Sequence, residues 1–135
     1  MERYQRLEHT ADVMVRCTGK NLDECFGNAA YAMFDQMIDI NTVENTTEYS
    51  FEVEEKDDCD RLYAFLSELL FISDCDGLVF SEFNVVSDGN RVKCTAYGEP
   101  LDVKKHHARA EIKAVTYHML NVDRDTPAVT VIFDV

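Results

Sequence analysis

The stretch His9-Thr10-Ala11-Asp12 places an imidazole, a hydroxyl and a carboxylate directly ahead of the alternating run Val13-Met14-Val15-Arg16-Cys17-Thr18. The other end of the chain, Val131-Ile132-Phe133-Asp134-Val135, carries a second side-chain carboxylate and then the α-carboxylate of Val135. If the run after Asp12 is a strand that pairs antiparallel with the last one, three carboxylates converge at one rim of a sheet. Like charges that close repel unless a proton or a cation intervenes. Hard oxygen donors suit magnesium, calcium or manganese, and an added imidazole such as His9 admits zinc. The competing explanation is structural, because Asp before a strand often closes an Asx turn and terminal acids are usually solvated. Lys113 is a second candidate: in an alternating strand it shares a face with Val115 and Tyr117, with its ammonium reaching the rim.

Other chemistries find no support. His9, His106, His107 and His118 include no His-x-x-x-His pair on a helix and meet no Gly-x-Ser-x-Gly elbow. Among five glycines there is no phosphate-binding loop, and no nucleophile is identified. Cys17, Cys25, Cys59, Cys75 and Cys94 are odd in number and contain no Cys-x-x-Cys pair, so they read as reduced thiols. The acidic run Glu54-Glu55-Lys56-Asp57-Asp58-Cys59-Asp60 lacks the Gly and distal Glu of a calcium hand and reads as charge at a helix N-terminus.

The elements that must position these groups follow from periodicity. After the first strand, Gly19-Lys20 turns the chain, and Asn21 with Glu24 has the spacing of a capping box. Leu22, Cys25, Phe26, Ala29, Ala30, Met33, Phe34 and Met37 then repeat at helical period. A strand is expected at Tyr49 to Val53, and a helix with Leu62, Phe65, Leu66, Leu69 and Leu70 on one face, stopped at Asp76-Gly77. Val79 to Val86 and Arg91 to Tyr97 flank the hairpin signal Ser87-Asp88-Gly89-Asn90. Gly98-Glu99-Pro100 is expected to break the pattern. Lys104-Lys105-His106-His107 with Arg109 is the only basic cluster and reads as a solvated loop. From Glu111 through Leu120 the Thr, Tyr and Val content favours a strand, with a short helix the alternative that periodicity leaves open, and a last strand from Ala128 to Asp134 returns antiparallel to close a C-terminal hairpin. The sum is an α+β arrangement with an antiparallel or mixed sheet and helices on one face.

With 135 residues and 46% hydrophobic content, the chain is read as one domain, residues 1–135, with a real core. A formal charge of −13 opposes direct gripping of nucleic-acid backbones, since that affinity comes from Lys and Arg. The N-terminal residues lack the apolar core of a signal peptide, and no apolar run spans a bilayer, so the expected location is cytoplasmic.

His9-Thr10-Ala11-Asp12, Gly19-Lys20-Asn21-Leu22-Asp23-Glu24-Cys25-Phe26, Asn28-Ala29-Ala30, Gly98-Glu99-Pro100, Glu111-Ile112-Lys113-Ala114-Val115-Thr116-Tyr117-His118 and the final Val131-Ile132-Phe133-Asp134-Val135 together resemble the archease family over nearly the whole chain. The resemblance implies an SHS2-type strand-helix-strand-strand core with a strand-and-helix insertion at about residues 48–110. It implies a non-catalytic activator of the GTP-dependent tRNA-splicing ligase, promoting ligase guanylylation and multiple turnover. Its acidic metal site would carry over to Asp12, Asp134 and Val135, and its functional lysine to Lys113, with His9 a weaker contributor. Alternative readings are a chaperone or specificity modulator of a tRNA methyltransferase, and a stand-alone metal-dependent phosphoesterase using Asp12, Asp134 and Lys113. The family often has an aromatic residue near the start of the last strand, where this chain has Pro127-Ala128.

Overall fold

Two helices are packed between two antiparallel sheets in the computed structural model, which describes residues 3–7 and 12–135. In chain order the elements are β1 (Tyr4–Leu7), β2 (Val13–Thr18), α1 (Leu22–Met37), a 3-10 turn (Ile40–Thr42), β3 (Thr47–Glu54), α2 (Asp58–Asp76), β4 (Leu78–Asp88), β5 (Arg91–Pro100), β6 (Ala114–Asp123) and β7 (Ala128–Asp134). One sheet has the strand order β1-β2-β7-β6 and the other β3-β5-β4. The expected α+β class and helix-covered sheet faces hold, with two sheets where the sequence was read as one. Every strand pair is antiparallel.

The local signals act as their chemistry predicts. The Asn21 side chain accepts from the Glu24 N–H at 2.9 Å, and α1 runs on to Met37 with Cys25, Phe26, Ala29, Ala30, Met33 and Phe34 buried. Asp57 caps α2 by accepting from the Asp60 N–H, and Gly77 ends that helix in the left-handed region at φ 64°. Phe65 of α2 meets both Phe26 of α1 and Phe51 of β3, at ring-centroid distances of 5.5 and 5.8 Å, so one ring joins three elements. Truncating a buried Phe typically costs about 3–5 kcal/mol. Burial raises the pKa values of Cys17 and Cys94 to about 12, which keeps these thiols protonated and unreactive. Of the remaining thiols, Cys25 is buried, Cys59 half-buried and Cys75 exposed, and all five are free.

Four expectations need correction. First, Tyr4-Gln5-Arg6-Leu7 is an edge strand that sequence reading did not assign, being too short to show a period. Second, Gly98-Glu99-Pro100 continues β5 instead of breaking it. Gly98 pairs with Thr47 on one side and Phe80 on the other, beside a bulge between Phe80 and Glu82. A Cβ there would sit 1.8 Å from the Val79 carbonyl oxygen, so the residue is glycine because two backbones touch. Third, the strand expected from Glu111 begins at Ala114, and Val115 is buried while Lys113 and Tyr117 are exposed, so the three do not share a face. The register of β6 against β7 shifts between Thr116 and Asn121, and Met119 takes φ 57°, which breaks the alternation that the reading assumed.

The fourth correction concerns charge. Lys104 to Arg109 do not form a freely solvated loop: His106 is fully buried, Lys105 bridges Glu44 and Glu99, and Arg109 donates to the Asp35 carbonyl at 2.8 Å. The acidic run before α2 is likewise partly engaged. Asp58 is gripped by Arg124 through two bonds of 2.6 Å and by Arg61 at 2.7 Å. Buried Arg61 also donates to the carbonyls of Glu55, Lys56 and Asn90, stitching the β3–α2 connection to the β4–β5 turn.

Gly98→Ala is expected to destabilise the protein at or beyond the upper end of the roughly 1–3 kcal/mol typical of overpacking. Denaturant unfolding of the variant beside the parent measures this.

Candidate functional site

The β2–β7 register decides whether the two halves of the acidic rim meet. Val13 lies opposite Phe133, Val15 opposite Val131 and Cys17 opposite Val129, all with side chains buried toward α1. One residue beyond Val13 is Asp12, and one beyond Phe133 is Asp134, so the same register carries the two carboxylates to one end of the sheet. Both residues are half-buried. Alternation places Asp134 on the face opposite Phe133, away from the helices.

β6 closes the other side. Ala114 pairs with Asp134, and the Lys113 N–H donates to the Asp134 carbonyl at 2.7 Å. Asp12, Asp134 and Lys113 therefore stand on three adjacent stretches of backbone at one rim. His9 lies outside the described residues. Among the described residues, no group of three or more His, Cys, Asp or Glu is arranged to hold a metal ion. Among the described residues, the side-chain donors at the rim are the two carboxylates, oxygen donors of the kind hard divalent cations take.

Val135, exposed at the chain end, lines a cleft of about 430 Å³ with Tyr4, Arg6, Val13, Asp35, Gln36 and Arg109. The Tyr4 hydroxyl donates to Asp35 at 2.5 Å and accepts from Gln36 at 3.1 Å. Desolvation first, and then the Asp35 bond, raise the Tyr4 pKa to about 12, so this hydroxyl remains a donor. Sequence reasoning missed the cleft, because its residues come from β1, the end of α1 and the loop after β5, which no spacing connects.

The loop that delivers Lys113 is anchored by His106. The Asp102 N–H donates to His106 Nδ1 at 3.0 Å, so the ring proton sits on Nε2 and faces Glu99 Oε2 at 2.9 Å. The His106 carbonyl accepts from the Asp39 N–H and the Met37 carbonyl accepts from the Arg109 N–H, tying the loop to the end of α1. Glu99 is held well below the usual carboxylate range, at about 2. The Glu44 N–H is the largest cause, followed by His106 and Lys105. A carboxylate depressed in the folded state contributes stability that is present above its unfolded pKa and lost as pH falls through its folded one. Glu99→Gln is therefore expected to lower stability at pH 7, and its deficit should shrink as pH falls from about 4.5 toward about 2. Urea unfolding of both proteins across that range checks the sign.

No helix among the described residues is long and apolar enough to cross a membrane. The model of the Archease protein family (MTH1598/TM1083) matches residues 4–135. Protein archease of Pyrococcus abyssi is 42% identical over 128 residues, covering 92% of this chain and 90% of its own length. The solution structure of Methanobacterium thermoautotrophicum protein 1598 covers 100% of both chains, with a TM-score of 0.86 and 37% identity. The crystal structure of an archease from Thermotoga maritima, described as a possible chaperone, superposes with a TM-score of 0.65 at 21% identity over 97% of this chain and 96% of its own. That last likeness is one of fold.

Proposed function

The chain belongs to the archease family, and from that premise we propose that it is a non-catalytic activator of a GTP-dependent tRNA-splicing RNA ligase, acting through the rim formed by Asp12, Asp134 and the carboxylate of Val135. The observation that supports this reading is the β2–β7 register, which brings the first motif and the last to one place. Asp12 and Asp134 would hold a divalent cation, with calcium, magnesium or manganese favoured over zinc by the oxygen donors. Such an ion supplies neutralisation of phosphate charge during nucleotidyl transfer. The chain's own residues set its place: β7 fixes Asp134 between β2 and β6, and the Lys113 backbone bond holds a cationic side chain at the same rim. The acidic surface suits a basic, RNA-binding partner, because complementary fields speed encounter.

Asp12→Ala and Asp134→Ala should each reduce stimulation of ligation at least tenfold with unchanged thermal unfolding, and Lys113→Ala should weaken it. A short extension past Val135 should also weaken it by moving the terminal carboxylate. The assay is multiple-turnover ligation by a cognate ligase, with and without this protein, at fixed divalent metal. Full stimulation by Asp12→Ala or Asp134→Ala would sink the rim mechanism. Stabilisation of a tRNA methyltransferase or another client that is indifferent to Asp134 would favour the chaperone reading. Turnover of phosphoesters by the protein alone would favour the phosphoesterase.

A further inference from the structure

Some three residues along β6 from the rim, roughly 10 Å at strand rise, a different surface begins. Tyr117 is 54% exposed and Met119 55% exposed on the free-edge strand of the four-stranded sheet. One face of the Tyr117 ring stacks on Tyr63 of α2, with centroids 4.1 Å apart and planes at 16°. Its hydroxyl donates to Asp60 Oδ1 at 3.0 Å, which fixes the ring plane. Met119, two residues on, has its backbone at φ 57°, a conformation that costs a side chain of its size about 1–3 kcal/mol and persists only where its surroundings impose it. The register shift around it also prevents regular strand addition along this edge, so a partner here must engage side chains.

The electrostatic surroundings say which side chain. The Asp60 carboxylate accepts from the Tyr117 hydroxyl, and among the described residues it is in no ion pair with an arginine or lysine, whereas neighbouring Asp58 holds two arginines. A half-exposed tyrosine ring with one face stacked and a carboxylate at its hydroxyl edge matches a guanidinium: planar, weakly hydrated, able to lie on an aromatic face while donating to a carboxylate. An ammonium is more strongly hydrated and lacks the planar match.

We propose that the exposed face of Tyr117, with the Asp60 carboxylate at its hydroxyl edge, receives an arginine side chain from a basic segment of a protein partner. This surface does not depend on the metal chemistry of the rim.

The test titrates the full chain, in about 0.15 M salt, with a capped tetra-arginine peptide and separately with a capped tetra-lysine peptide. Tyrosine ring resonances and calorimetry are followed. The arginine peptide should bind at least fivefold more tightly and shift the Tyr117 and Tyr63 ring signals. Tyr117→Ser should bring the arginine peptide down to the lysine level. Tyr117→Phe, which keeps the ring face, and Asp12→Ala, which alters only the rim, should preserve the difference. Equal affinity of the parent protein for the two peptides overturns the inference, as would a preference untouched by Tyr117→Ser, because either would leave only general attraction to a chain of charge −13.

Discussion

The pairing of β7 with β2 on one side and β6 on the other is the constraint from which the rest of the structure follows. Val129, Val131 and Phe133 are fully buried on one face, so the strand cannot slip by one residue without exchanging its core face for its outer face. That locked register carries Asp134 to the same sheet end as Asp12 and sets Ala114 beside it. The chemistry proposed for the rim is therefore held by apolar packing several residues away. Asp12 and Asp134 stand at one end of the sheet because the register of their hydrophobic neighbours carries them there.

The helices convert this one sheet into a body with two. α1 packs on β2 and β7 with one part of its surface and on β4 with another, while α2 spans β6 and the second sheet. Residues buried around more than one side of α1, such as Ala32 and Ala30, reflect that intermediate position. Charge then ties the layers at their edges. Asp58 receives Arg124 from the β6–β7 turn and Arg61 from its own helix, and depression of its pKa, by the Arg124 bond above all, records how far the ionised form is favoured. In a chain so rich in carboxylates, Arg61, Lys105, Arg109 and Arg124 tie separate segments together.

The sequence by itself determined the two helices and the hairpins β4–β5 and β6–β7. Asn21, Asp57 and Gly77 act through bonds and dihedral angles within a few residues of themselves, and the stripes of α1 and α2 report a period that needs no tertiary information. The motifs around Asp12, Lys113 and Asp134 were also legible, because residue types in order carry family likeness whatever their spatial arrangement.

Only the tertiary structure decided what lies between those motifs. Gly98 looked like a break because its reason, a neighbouring backbone against its Cα, comes from β4 and not from its own segment. His106 looked solvated because no spacing rule announces that Glu99 and the Asp102 N–H, though near it in sequence, will occupy both ring nitrogens. Tyr117 appeared to share a face with Val115 until the register shift around Met119 turned it toward Tyr63, more than fifty residues earlier in the chain. Local hydrogen bonding and periodicity are written in adjacent residues. Register, bulges and buried polar pairs depend on which surfaces meet, and the energy that selects them exists only once they have met.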